Sequence, residues 1–274
     1  SGSGVVDISG SPKISIHSQE HGWSMAGPNT ETMTVNISEF PTITTRDFRL
    51  NHGDIFVNIS GNPIFEVSGE FKLGSGADTY VEAYISGGSY SIGEDFELGE
   101  QGGGFVELSG DAVVEANGLG VCNREPGRGP ASLIIKDNVS AIVERIFAGV
   151  GVDSNATIDI QGGVIDCNEV FLADEQAGQA GIAILKLSDG LLRTGGILRA
   201  PASDKGTAEI YLDGGIVECG QFEHANDNWK MDIYEGIMVI EGNSVGRIEE
   251  DIEADRIRAY VFQNAERGDV IVDY

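Results

Sequence analysis

One phrase recurs ten times along the chain, and this repeat restricts the fold more than any other property of the sequence. Residues 156–163, Ala-Thr-Ile-Asp-Ile-Gln-Gly-Gly, show it best: a short alternating strand that runs into a glycine turn. With Ile160 as the anchor, the equivalent positions are Ile8, Ile37, Ile59, Ile85, Leu108, Ile135, Leu187, Leu212 and Ile233. Two residues earlier stand Val6, Val35, Val57, Ala83, Val106, Leu133, Ile158, Leu185, Ile210 and Met231, all apolar. Between the two columns lie Asp7, Asn36, Asn58, Tyr84, Glu107, Ile134, Asp159, Lys186, Tyr211 and Asp232, nearly all polar. Alternation with period two describes a strand with one buried side.

The turns are as regular as the strands. Three residues after the anchors sit Ser11, Phe40, Asn62, Gly88, Asp111, Asn138, Gly163, Gly190, Gly215 and Gly236. Most are Gly, Asn or Asp, which tolerate a left-handed backbone, so this column is expected at positive φ. The anchors are 29, 22, 26, 23, 27, 25, 27, 25 and 21 residues apart. Strand-bearing repeats of roughly 20–30 residues predict a solenoid. The expected fold is all-β: a right-handed parallel β-helix of about ten coils over residues 1–243, including an N-terminal cap. Residues 244–274 are expected to form a C-terminal cap of helix and strands.

The chain carries 17 basic and 44 acidic residues, a net charge of −27. Such a surface repels nucleic acid and anionic membranes, so neither is an expected partner. No apolar run approaches the roughly 20 residues of a membrane span, so no membrane insertion is expected. No signal peptide is visible, and Ser1-Gly2-Ser3-Gly4 reads as a leftover linker or a trimmed end. The acidity suits a secreted protein, or one that gathers divalent cations. Cys122, Cys167 and Cys219 make an odd number of cysteines. Cys167 and Cys219 hold the same place two coils apart, roughly 9.6 Å at the usual strand spacing. That is beyond the reach of a disulfide, so both are expected to be unpaired core thiols.

Along the chain, residues 18–31 interrupt the first coils and read as a cap that shields an end coil from edge pairing. A ligand platform built from Trp23, His17 and His21 is the other reading. From Ile55 to Phe222 a second strand follows each turn, with Tyr90, Ile165, Leu192 and Val217 in one apolar column. Ile92, Ile142, Cys167, Thr194 and Cys219 form the next inward column. With aromatic content of 7%, the core is expected to be mainly aliphatic. Variable lengths collect before each first strand, at residues 99–104, 117–130, 149–155, 173–181 and 200–206, an edge suited to recognition. The longest carries Arg124 and Arg128, a basic spot on an acidic protein. In residues 244–257, Ile248 and Ile252 share one side of a short amphipathic turn that could plug the open column. Residues 259–262 and 270–273 read as closing strands.

The phrase in Ile158-Asp159-Ile160-Gln161-Gly162-Gly163 and Ile210-Tyr211-Leu212-Asp213-Gly214-Gly215 resembles the repeats of secreted bacterial β-helix proteins. The resemblance is to the autotransporter-repeat and PEP-CTERM-associated type, and residues 237–274 resemble the ends of such modules in planctomycete-like secreted proteins. It implies an extracellular or cell-surface location and attachment to other domains of a larger secreted protein. The expected function is a non-catalytic module that binds polysaccharide or a cell-surface glycan, or that spaces other domains. A lyase or glycoside hydrolase acting on an acidic glycan is the first alternative, and an adhesin or fibre the second.

A lyase needs a base beside a group that neutralises the sugar carboxylate, and here Lys186 stands alone in its column. A hydrolase needs two carboxylates roughly 5–9.5 Å apart. A trimeric fibre needs an apolar outer face, which the sequence pattern does not reveal. The expected ligand positions are Tyr84, Glu107, Asp159, Lys186 and Tyr211 on the outward column, with Arg124 and Arg128 on the loop edge. Tyrosines can stack on sugar rings while carboxylates accept hydroxyl protons. No cofactor is expected, Ca²⁺ being the ion such carboxylates could hold.

Overall fold

The computed structural model describes residues 3–16, 23–26, 32–51, 53–76, 79–100, 102–122, 129–151, 154–176, 179–241, 245–261 and 266–268. Through them the chain winds into a parallel β-solenoid of about nine turns. Each coil has three strand-bearing faces, separated by corners. All ten anchors stand in one ladder, Ile8 beside Ile37 at one end and Leu212 beside Ile233 at the other. The ladder continues to Ala259 in the strand Ile257–Val261. The complete turns number about nine rather than ten because the third face runs only from Trp23–Ala26 to residues 221–223.

The third face is absent from the sequence reading. Phe48–Asn51, Phe71–Leu73 and Asp95–Leu98 are only three or four residues long, too short for alternation to register. These strands correct the expectation of an aliphatic interior. Phe48, Phe71 and Phe96 stack face to face with centroids 4.6 and 5.1 Å apart. Phe65 and Tyr90, from the second face, stack beside them at 5.1 Å. All five rings are fully buried. The aromatic residues are few, but the coil sets them over one another.

The corners also differ from expectation. Positive φ falls two residues after the anchor at Gly10, Glu39, Gly61, Gly87, Gly110 and Asp137. It falls three residues after at Gly163, Gly190 and Gly215, and Gly88 has it as well. Ser11, Phe40, Asn62, Asp111 and Asn138 therefore need no left-handed backbone. In the long strands Asn155–Leu172 and Ile182–Arg199 the pairing runs on through the corner, and the bend moves one residue along. A Cβ on Gly163 would strike the carbonyl oxygen of Val139, so both conformation and space require glycine there.

The corners after Leu108 and Ile135 hold one extra residue. Tyr90 pairs with Val114, Val114 with Ala141, and Ala141 with Ile165. Ile142 is thereby shifted opposite Asp166 and faces outward at 53% exposure, while Val143 takes the inward place. A one-residue insertion flips a strand's sides because the side-chain period is two.

At the N-terminal end, Trp23 is not a free platform. Trp23–Ala26 is the first rung of the third face, and the Trp23 ring packs edge-on against Phe48 at 5.6 Å. His17 and His21 lie outside the described residues. At the other end the helix Val245–Glu253 sets Ile248 and Ile252 against the core, as expected of a plug. Asp251, 1% exposed, accepts a 2.9 Å hydrogen bond from Arg256 Nε and lies 3.3 Å from His224 Nε2. Ile257–Val261 pairs with Glu266–Gly268 in antiparallel fashion, while the expected strand at residues 270–273 lies outside the described residues. Among the described residues no helix is long and apolar enough to cross a membrane.

The three cysteines are free, and Thr194 separates Cys167 from Cys219 in the ladder, as the spacing predicts. Cys219 is buried and Cys167 partly so. Burial pushes both thiols up to about 12, and Cys122 up to about 11. With native values above the ordinary 9.0, the associated stability is complete below that pH and is lost as pH rises toward 12. Melting temperature should therefore fall more between those limits in the wild type than in Cys167→Ala/Cys219→Ala. Equal slopes in a pH series of thermal melts would remove the two thiols from the core.

Candidate functional site

The candidate site is the outer side of the first face, where alternation leaves every second side chain in solvent. The five outward positions expected from the sequence fall in one ladder: Tyr84 beside Glu107, then Ile134, Asp159, Lys186 and Tyr211. Six rungs span about 24 Å at the strand spacing, a length suited to an extended oligomer. Below Tyr84 the column is an amide ladder. Asn58 Nδ2 donates to Asn36 Oδ1 at 3.0 Å, and Asn36 Nδ2 to Asp7 Oδ1 at 2.6 Å.

Around Tyr84 the coils assemble an aromatic patch. Phe56, Tyr80 and Tyr84 are exposed by 40%, 47% and 43%. Phe105 is partly exposed, with its ring centroid 5.7 Å from that of Tyr84. Glu82 lies between Phe56 and Phe105 in their column, and Asn58 and Glu107 flank Tyr84 in its own. The Tyr84 hydroxyl donates to Glu82 at 2.8 Å, and this bond raises the phenol's pKa. Glu107 pairs with Lys136 at 2.6 Å, and Asp159 accepts from Gln161 Nε2 at 2.8 Å.

Tyr211 forms a second cluster on the same face. Lys186 Nζ and Lys230 Nζ lie 5.9 and 5.1 Å from its ring centroid, within the range of cation–π attraction. Lys186 is thus not alone, as its column had suggested. The Tyr211 hydroxyl donates to Glu209 at 2.6 Å, and burial together with that bond raises its pKa. The Lys230 ammonium is also held toward its charged form, first by its bond to Tyr211. Tyr234 and Tyr260 stack at 4.8 Å on the adjoining column, and Arg258 takes the rung after Asp232.

Phe56, Tyr80, Phe105 and Lys230 escaped the sequence reading. Phe56, Phe105 and Lys230 lie two residues before Asn58, Glu107 and Asp232, and Tyr80 lies four before Tyr84. Carrying the alternation further back along each strand would have found them. Arg124 and Arg128 lie outside the described residues. The expected loop 117–130 is shorter than it seemed, since Val113–Val121 is a strand whose residues 118–121 belong to the third face. Among the described residues no group of three or more His, Cys, Asp or Glu is arranged to hold a metal ion.

Comparison with protein-family models, with curated proteins and with solved structures finds no match for this chain.

Proposed function

We propose that the outer side of the first face binds an extended carbohydrate, and that the chain is a non-catalytic, extracellular β-solenoid module of the secreted bacterial kind its repeats resemble. The observation that carries this reading is the aromatic patch: Phe56, Tyr80 and Tyr84 stand exposed on neighbouring rungs with Glu82, Glu107 and Asn58 among them. Exposed rings offer flat apolar area to sugar faces, while the carboxylates and amide satisfy hydroxyls at the ring edges. A flat, open strip also suits a polymer, whose successive units need the same contacts. Lyase chemistry fits less well, because the Tyr84 and Tyr211 phenols are held toward their protonated forms and are poor general bases.

A glycan array identifies the polymer, and titration of variants then locates its site. Phe56→Ala with Tyr84→Ala should weaken binding at least about tenfold, the equivalent of two stacking contacts. Lys186→Ala with Tyr211→Ala should cost less unless the chain of sugars reaches the second cluster. Normal melting of both pairs with undiminished affinity would defeat the assignment. Release of unsaturated products from a polyuronate would establish turnover in place of binding.

A further inference from the structure

Glu82 stands at the centre of the aromatic patch, and its surroundings suit one class of sugar. In its own column Phe56 and Phe105 occupy the rungs on either side. Along its strand Tyr80 and Tyr84 face outward two residues before and after it. Glu82 Oε1 accepts the Tyr84 hydroxyl proton at 2.8 Å, while Oε2 has no bonding partner among the described residues. Asp54, exposed beside Tyr80 in the next column, has no ion pair among them either. Glu107 is paired, with Lys136 at 2.6 Å. The outward residues of Gly53–Ser60, Thr79–Ser86 and Gly103–Ser109 therefore include four aromatic rings and three carboxylates but no basic side chain.

Resting on the carbohydrate reading of this face, we propose that the patch takes an amino sugar in its charged form, so that the extended ligand is a glycan with free amino groups. An ammonium group brings donors and no acceptor. The patch answers with acceptors: Asn58 gives an amide proton to Asn36, Tyr84 gives its hydroxyl proton to Glu82, and the carboxylates have none to give. Aromatic faces attract a cation through their quadrupoles, and a carboxylate set among them adds a charge-assisted hydrogen bond. A neutral or N-acetylated sugar leaves the Glu82 charge unanswered.

The wider field agrees with this choice. The Tyr84 phenol is held protonated first by its bond to Glu82 and further by the charges of Glu82 and Glu107, the mark of a negative potential at the patch. The net charge of −27 draws a polycation toward the chain and repels glycans rich in carboxylate or sulfate. Lys186 and Lys230 crowd the ring of Tyr211, so the charged amines belong at the Tyr84 end of the face. The rings spread over three rungs, about 10 Å at the strand spacing, which offers faces to successive sugars and not to one lysine side chain alone.

Titration calorimetry at low ionic strength and mildly acidic pH, with hexamers of glucosamine, N-acetylglucosamine and glucose, tests the proposal. The glucosamine hexamer should bind at least about tenfold more tightly than the other two, and added salt should shrink that margin. Glu82→Gln with Asp54→Asn should remove the margin, and because both sites face solvent, melting should change little. Glu82→Gln alone, which keeps an acceptor for the Tyr84 hydroxyl, should remove most of it. A margin that survives the double variant comes from the charge of the whole chain and overturns the proposal, as do equal affinities for the three hexamers. Tighter binding of hexalysine than of the glucosamine hexamer overturns the glycan occupant in favour of a basic protein. Where a neutral glycan binds through Phe56 and Tyr84 with no preference for amines, only the amino-sugar assignment fails. Where no glycan binds at all, the carbohydrate reading of the first face falls with it.

Discussion

Alanine in place of Phe71 is expected to lower the unfolding free energy by about 3–5 kcal/mol. The ring is fully buried between Phe48 and Phe96, at centroid distances of 4.6 and 5.1 Å, with edge contacts to Phe65 and Tyr90 at 5.6 and 6.1 Å. Backbone hydrogen bonds fix the spacing of the rungs above and below, so the coil cannot collapse into the space the ring leaves. Leucine should lose less, because it keeps most of the apolar volume. In a solenoid each coil contacts only its neighbours, so the damage should begin locally. Trp23, edge-on to Phe48, sits close enough to report it by fluorescence. Denaturant titration followed both by circular dichroism and by tryptophan emission measures the loss. A cost below about 1 kcal/mol, the size of an ordinary substitution, would be incompatible with a stacked aromatic column.

Methionine in place of Lys72 should cost a similar amount, about 3–5 kcal/mol at neutral pH. Lys72 projects from the outer side of the third face, yet only 5% of its side chain is exposed. Its ammonium lies 2.8 Å from Glu97, itself 0% exposed, and 3.0 Å from both Glu70 and Glu100. Burial alone would lower the lysine's pKa, but the bonds and charges of Glu97, Glu100 and Glu70 outweigh it and raise the value. With the native value above 10.5, the cluster's stabilisation is fully present below that pH and is lost as pH rises through the native value. Methionine keeps most of the stem's packing but leaves three carboxylates converging on the place the ammonium held. The variant has no ammonium to lose, so its deficit should narrow as pH rises through the lysine's native value. Urea titrations at several pH values test both claims. A deficit independent of pH would point to lost packing instead of lost charge.

How far the sequence could be read depended on how local each determinant was. The anchor ladder was fully legible, from Ile8 to Ile233, because alternation within a strand and recurrence between coils are both written in the chain. The separation of Cys167 from Cys219 followed from the same register. The outward column from Tyr84 to Tyr211 was legible too, as the polar half of that alternation. Its chemistry was legible only in part. Phe56 and Phe105 come near Tyr84 because of pairing across rungs, and Lys230 reaches Tyr211 from the next coil. Alternation along one strand tells that these side chains face outward, and pairing across rungs decides which of them meet.

The sequence by itself determined a parallel solenoid and the register of its first face, since each coil repeats one strand and one inward column of Ile and Leu. Only the tertiary structure decided the rest. Corner geometry set whether the left-handed residue stands two or three places after the anchor, as at Gly110 and Gly163. One extra residue in a corner turned Ile142 outward and Val143 inward, because a strand's sides alternate with every residue. Strands too short to show a period built the third face and gathered Phe48, Phe71 and Phe96 into one stack. Packing across rungs, which chain order does not encode, made an aromatic patch of one outer face.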